Sequence, residues 1–187
     1  MRAYHRQIVD NVVAYIAQQY CNAHKKDIIQ TLLFKILALF DFRCLRQNGR
    51  PCLEFSYTAR DRGPVPEELY KKDLSEYSLF SVRDKKGRNY ISRHFFATDK
   101  ADLDFLAPSE KRILVDLVSH VVENKLDGKL LSALSHKEIK AWQVAYNRQK
   151  NSTMSYAEEF DNLDDKTESQ MTLVELNFIK YRELMDV

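Results

Sequence analysis

Apolar residues recur at intervals of three and four from the start of the chain. Ile8, Val12, Tyr15 and Ile16 share one face and predict a helix over residues 5–19. From Lys26 onward, Ile29, Leu32, Leu33, Ile36, Leu37 and Phe40 form a broad stripe, which Ile28, Phe34 and Leu39 widen until most sides are apolar. Such a helix belongs at the centre of the core. It should stop at "QNGRP", where Gly49 suits a left-handed C-cap and Pro51 prevents continuation. The period then changes to two. Leu53, Phe55, Tyr57 and Ala59 alternate with Glu54, Ser56 and Thr58, predicting a half-buried strand over residues 52–60.

The next stretch, "RDRGPVPEELY", concentrates Gly63, Pro64 and Pro66 within four residues of a chain that has only four glycines and four prolines. It predicts a turn and then a helix over about residues 66–75, with Pro66 as the first helical residue and Glu67 and Glu68 at the positive end of its dipole. Residues 79–96 read as a hairpin whose strands carry Phe80, Val82, Tyr90 and Ile91, with "DKKG" as the turn. Pro108 and Ser109 open a helix continued by Ile113, Leu114, Leu117, Val118 and Val121, and two shorter helices follow in "GKLLSALS" and "KEIKAWQVAYNR". After Lys150 the sequence turns polar and acidic, until Leu173, Leu176, Phe178, Ile179 and Met185 mark a last amphipathic helix. The expected fold is α+β, predominantly α-helical, with a small antiparallel sheet or hairpin packed beside a helical core. It divides into a single domain over residues 1–150 and an acidic linker with a C-terminal amphipathic helix over residues 151–187. That tail reads as separable, with proteolysis expected first between about Asn151 and Ser169.

With 187 residues and 44% hydrophobic content, the chain can bury one ordinary core. The net charge of +2 hides a division: residues 1–150 carry 26 basic and 18 acidic side chains, a balance of +8, and residues 151–187 carry 3 and 9, a balance of −6. A basic body raises nucleic-acid binding, but "RDR", "EELYKKD" and "RDKKGR" mix both signs, so nucleic acid is not the favoured partner. The first apolar run is broken by Asp10, Asn11 and Gln18, so no signal-peptide core is expected. The greasiest stretch, residues 28–40, is too short for a bilayer and carries Lys35. A soluble, cytoplasmic protein without a membrane partner is expected. Cys21, Cys44 and Cys52 are odd in number and lack metal spacing, so no metal or other cofactor is read. Catalysis has no visible motif, and nothing in the sequence pairs Tyr15, Ser92 and His94 into a site.

Taken in order, several separated blocks resemble one family. "FKILALFDFRCLRQNGRP", a strand with "YTAR", "GPVPEELY" and then "PSEKRILVDLVSHVVENKLDGKLLSALSHKEIKAW" are similar to the Panacea domain of SocA-like antitoxins, over roughly residues 5–148. The positions carrying the likeness are Lys35, Gly49, Gly63, Pro64, Val65, Pro66, Tyr70, His136 and Trp142. Ala38 departs from the pattern, where an aromatic is common, and the acidic tail lies outside it. The resemblance implies a prokaryotic or phage protein with no enzymatic activity and no cofactor, which binds and neutralises a cognate protein toxin, usually encoded next door. A second mechanism it implies is an adaptor that delivers the toxin to a protease; a nucleic-acid-binding regulator is a third reading. The proline-rich corner serves either as a rigid joint or as part of a partner-binding surface, for which Arg60, Arg62, Tyr77 and Arg88 are the candidate contacts. His136 reads as a helix cap or as part of that surface, and Trp142 as core or as a binding hot spot.

Overall fold

The computed structural model describes residues 4–70, 73–87 and 90–185. Its helices are α1 (His5–His24), α2 (Gln30–Asn48), α3 (Glu67–Tyr70), α4 (Pro108–Glu123), α5 (Gly128–Glu138), α6 (Lys140–Arg148) and α7 (Leu173–Met185). The strands are β1 (Ile28–Ile29), β2 (Tyr57–Arg60), β3 (Gly63–Pro66), β4 (Phe80–Lys86) and β5 (Ile91–Ala97). The fold is therefore α+β and predominantly helical, as its periodicity implied. The strands form two antiparallel groups, ordered β1-β5-β4 and β2-β3. Among the described residues no helix is long and apolar enough to cross a membrane.

α2 is the centre of the core. Every residue from Leu32 to Phe42 is buried, and the helix touches α1, α4, α5, α7, β3 and β5. Gly49 ends it at φ 77°, its N–H bonded to the Leu45 carbonyl at 2.8 Å. α1 lies alongside with Ile8, Val12 and Ile16 buried. Asp10 and Asn11, which interrupt its apolar run, are buried too and act as anchors: Asp10 accepts the N–H groups of Ser78 and Leu79, both at 2.9 Å, and Asn11 accepts that of Asp102 at 2.6 Å. Two buried polar groups thus tie the loops on either side of the hairpin to α1.

The expected strand over residues 52–60 has the right alternation, since Leu53, Phe55, Tyr57 and Ala59 are buried, but ladder pairing begins only at Tyr57. Glu54, at φ 52°, turns the chain before it can pair earlier. Gly63 to Pro66 are a strand, not the end of a turn and a helix start. Pro66 faces Tyr57 across the hairpin, and α3 begins one residue later. The helix expected to reach residue 75 has its described part in four residues, and residues 73–77 are not helical. In the distal hairpin, Asp84, Lys85 and Lys86 belong to β4, the reversal lies beyond them, and Tyr90 and Ile91 are exposed rather than core.

The tail corrects the expectation of a separable segment. An antiparallel strand directs alternate backbone groups to opposite sides, so Tyr57 and Ala59 turn theirs away from β3. Residues 151–154 take up that edge: Ala59 N–H bonds to the Ser152 carbonyl, Asn151 N–H to the Ala59 carbonyl and Met154 N–H to the Tyr57 carbonyl, each at 2.9 Å. Further on, the Tyr156 hydroxyl sits 2.8 Å from both the Asp41 carboxylate and the Phe55 carbonyl. α7 then buries Phe178 against Phe160 and covers Gly49, where an added Cβ would collide with the Val174 carbonyl. Unpaired strand groups and a buried carboxylate need these partners more than the tail needs its freedom.

Limited proteolysis of the native protein should therefore leave residues 151–169 uncut while an unfolded control is digested. Tyr156→Phe removes the bridging hydroxyl; it should cost about 1–2 kcal/mol in denaturant unfolding and make that segment the first site of cleavage.

Candidate partner-binding site

Three elements meet at the backbone of the β2–β3 turn. Gly63 has φ 102°, and a Cβ added there would lie 2.8 Å from Ser135 Oγ, 3.0 Å from Lys35 Cε and 3.4 Å from His136 Nε2. Only glycine combines that backbone angle with so close an approach. Alternate carbonyls of the corner each receive a donor from a different helix. Trp142 Nε1 of α6 donates to Arg60 at 3.2 Å, Ser132 Oγ of α5 to Arg62 at 2.8 Å, and Lys35 Nζ of α2 to Pro64 at 3.3 Å. The prolines suit this strand because their missing N–H falls on the side away from β2.

A stack of rings leads from this buried joint to the surface. His136 lies parallel to Trp142 with centroids 3.7 Å apart, and Trp142 stacks on Tyr146 at 4.8 Å. The Tyr146 hydroxyl donates to Asp61 at 2.7 Å, and Lys150 pairs with the same carboxylate at 3.4 Å. On the other side the Arg60 guanidinium lies 4.1 Å over the Tyr70 ring and 3.4 Å from Glu67. Inside the joint, Lys35 is 2% exposed. Burial, and then the charge of Arg62, bring its ammonium down to about 8 from 10.5. Burial and then Lys35 likewise lower the His136 imidazole, whose buried Nε2 has no hydrogen-bond partner among the described residues. A cleft of about 380 Å³ opens over Lys35, bordered by Thr31, Asp61, Arg62, Lys129 and Ser132.

The fold thus brings together Lys35, Arg60, Arg62, Gly63, Pro64, His136 and Trp142, which stand up to about a hundred residues apart in sequence. Val65 pairs with Thr58, Pro66 with Tyr57, and Tyr70 lies beneath Arg60, so all three flank the joint. Gly49 is elsewhere, under α7. Tyr77 is half-buried and stacked on Phe80 at 4.9 Å, and Arg88 lies outside the described residues. His136 is not a cap, since it sits within α5 and its ring is committed to Trp142. Asp61, Ser132, Ser135, Tyr146 and Lys150 were not anticipated. The four-residue spacing of Trp142 and Tyr146 was the one available signal, because it puts both rings on one face of a helix. Ser92 and His94, unpaired in sequence, are hydrogen-bonded at 2.9 Å on β5. His94 Nδ1 is buried with no hydrogen-bond partner among the described residues.

One family model, antitoxin SocA-like, Panacea domain, matches residues 33–143. No curated protein and no solved structure matches the chain. The matched span holds the corner, Lys35, His136 and Trp142, and it ends before the tail.

Gly63→Val should lower stability by about 3 kcal/mol, because a β-branched side chain at positive φ adds strain to overpacking; a thermal melt reads this as a fall in Tm. Lys35→Met should do the reverse, raising stability by about 1–3 kcal/mol at pH 7 by removing a buried ammonium. Because burial depresses the lysine below its unfolded value, the charge penalty is complete below about pH 8 and fades as the pH rises to 10.5. The stability gap between wild type and variant should close over that window in urea titrations.

Proposed function

The chain belongs to the SocA-like antitoxin, Panacea-domain family, and on that premise we propose that it neutralises a protein toxin in the cytoplasm by binding it directly. The family match over residues 33–143 carries this reading. The corner and its surroundings are the proposed contact surface. A turn whose carbonyls are held by three helices loses little entropy on association, and Arg62 and Asp61 project from it into solvent. Arg60 and Tyr146, both half-exposed, are residue types that concentrate binding energy when a partner covers them, and Trp142, which is buried in the core, supports them from beneath.

The charge distribution supports a protein partner over nucleic acid. The acidic tail folds back on the basic body: Glu159 pairs with Arg46 at 3.1 Å, Glu158 with Arg148 at 2.7 Å, and Asp161 with Lys140. Part of the apparent excess of positive charge is therefore spent within the molecule.

Co-expression with the product of the neighbouring gene should restore growth that the product alone arrests. Purified protein should form a stable complex with it, burying about 1,600 Å² in total, and inhibit it without further components. Rescue that disappears in a protease-deficient host would assign the adaptor mechanism instead. Failure to bind the gene product, together with a steep salt dependence of DNA affinity, would replace the antitoxin reading with the regulator.

A further inference from the structure

Lys35 carries three N–H donors and one is assigned, to the Pro64 carbonyl. Among the described residues no carboxylate pairs with its ammonium, although the side chain lines the cleft of about 380 Å³. Asp61, the carboxylate that borders the cleft among the described residues, is held by Tyr146 and Lys150. Asp127 accepts the Lys129 and Leu130 N–H groups, so the start of α5 is already capped and is not the source of attraction. That leaves Lys35, Arg62 and Lys129 converging on one recess with a positive balance. A buried ammonium held mainly by desolvation against its charge is stabilised most by an anion that supplies both charge and hydrogen-bond acceptors.

The margin of the cleft tells what kind of anion fits. At Thr31 and Arg62 it continues into a second recess of about 590 Å³, lined by Ile29, Tyr90, Ile91 and Arg93. Tyr90 and Ile91 are 69% and 66% exposed, an apolar shelf beside a basic hole. β1 covers β5 only at His94 and Phe95, because the chain leaves the sheet edge at Gln30 to start α2. Among the described residues no strand pairs with the edge of β5 beyond, at Ile91 and Arg93, which border the same recess. Apolar contacts, a free strand edge and a single deep cationic pocket suit an extended protein segment bearing an acidic side chain. A phosphate backbone would instead need cations spaced along a track.

Resting on the antitoxin reading above, we infer that the toxin inserts an Asp or Glu carboxylate into the cleft over Lys35, with Arg62 and Lys129 at its rim. The groups that face Lys35 there are Arg62 and Asp61 from the β2–β3 turn and His136 and Lys129 from α5. Pairing with a carboxylate favours the charged lysine, so the complex should weaken as the pH rises above the free value of about 8.

The test is the Kd of the full-length protein for the purified product of the neighbouring gene, measured at pH 7 and pH 9.5 for wild type and Lys35→Met. At pH 7 the variant should bind about 30-fold more weakly. Wild-type affinity should fall by about the same factor between the two pH values, while that of the variant stays flat. Melting at or above the wild-type temperature would show that Lys35→Met is folded, and Arg62→Gln and Lys129→Gln should give smaller losses. If wild type and Lys35→Met bind equally and their pH profiles run parallel, the carboxylate pocket is wrong and the antitoxin reading stands. If wild type does not bind at all, the antitoxin reading falls and takes the pocket with it. If a short DNA duplex binds to wild type and loses its affinity in Lys35→Met, the cleft belongs to phosphate and the inference is overturned.

Discussion

Every residue of α2 from Leu32 to Phe42 is buried, and the two charged side chains in that stretch, Lys35 and Asp41, have to find their partners in protein. Much of the architecture follows from how they do. Asp41 is fully buried; it accepts the Leu53 N–H at 2.7 Å and has the Tyr57 and Tyr156 hydroxyls at 3.3 and 2.8 Å. Burial pushes its carboxyl up to about 6 even so, because these hydrogen bonds only partly replace water. One carboxylate therefore fastens the segment after α2, the start of β2 and the tail. Lys35, two turns earlier, fastens the other end of the same hairpin through Pro64.

The hairpin between these two anchors is used on all its polar edges. β3 pairs with β2 and turns the Pro64 carbonyl to α2; β2 offers its remaining groups to residues 151–154. A two-stranded ribbon alone is marginal in water. Here it is stable because α2, α5, α6 and the tail each supply a donor, an acceptor or a covering side chain. The acidic tail consequently contributes structure as well as charge, and its carboxylates neutralise arginines of α2 and α6.

The same arrangement leaves Lys35 in an unusual position. Asp41 has the Leu53 N–H and two tyrosine hydroxyls within reach and Lys35, among the described residues, has one acceptor, yet both lie out of water. A methyl-ended side chain would pack there at lower cost; the ammonium holds Pro64 with one N–H and keeps its other donors for an interaction that the described residues do not complete. A partner's carboxylate would complete it, and the rigid turn above would define where that partner sits.

Local chemistry was enough to identify the long helices, since their apolar periodicity reports the face that must be buried, but it ran α2 back to Lys26, where Ile28 and Ile29 instead pair with β5 as β1 and α2 starts at Gln30. It also located the end of α2, because Gly49 and Pro51 act on the backbone within one turn. The likeness of its separated blocks to the antitoxin family lay in residues whose spacing can be read directly. What a linear reading could not contain was which groups satisfy one another across the chain. "GPVP" looked like a corner leading to a helix because prolines discourage strands, and it became a strand because the side lacking N–H faced α2 rather than β2. His136 looked like a cap and became part of a ring stack. The tail looked detachable because its composition is polar, whereas its docking depends on the open edge of β2 and on Asp41. By itself the sequence determined the long helices, the end of α2 and the kinship, all of which rest on interactions between near neighbours or on residue identity. Only the tertiary structure decided the joint at Gly63, the cleft over Lys35 and the place of the tail, because buried polar groups far apart in the chain choose partners only once packing has removed water from around them.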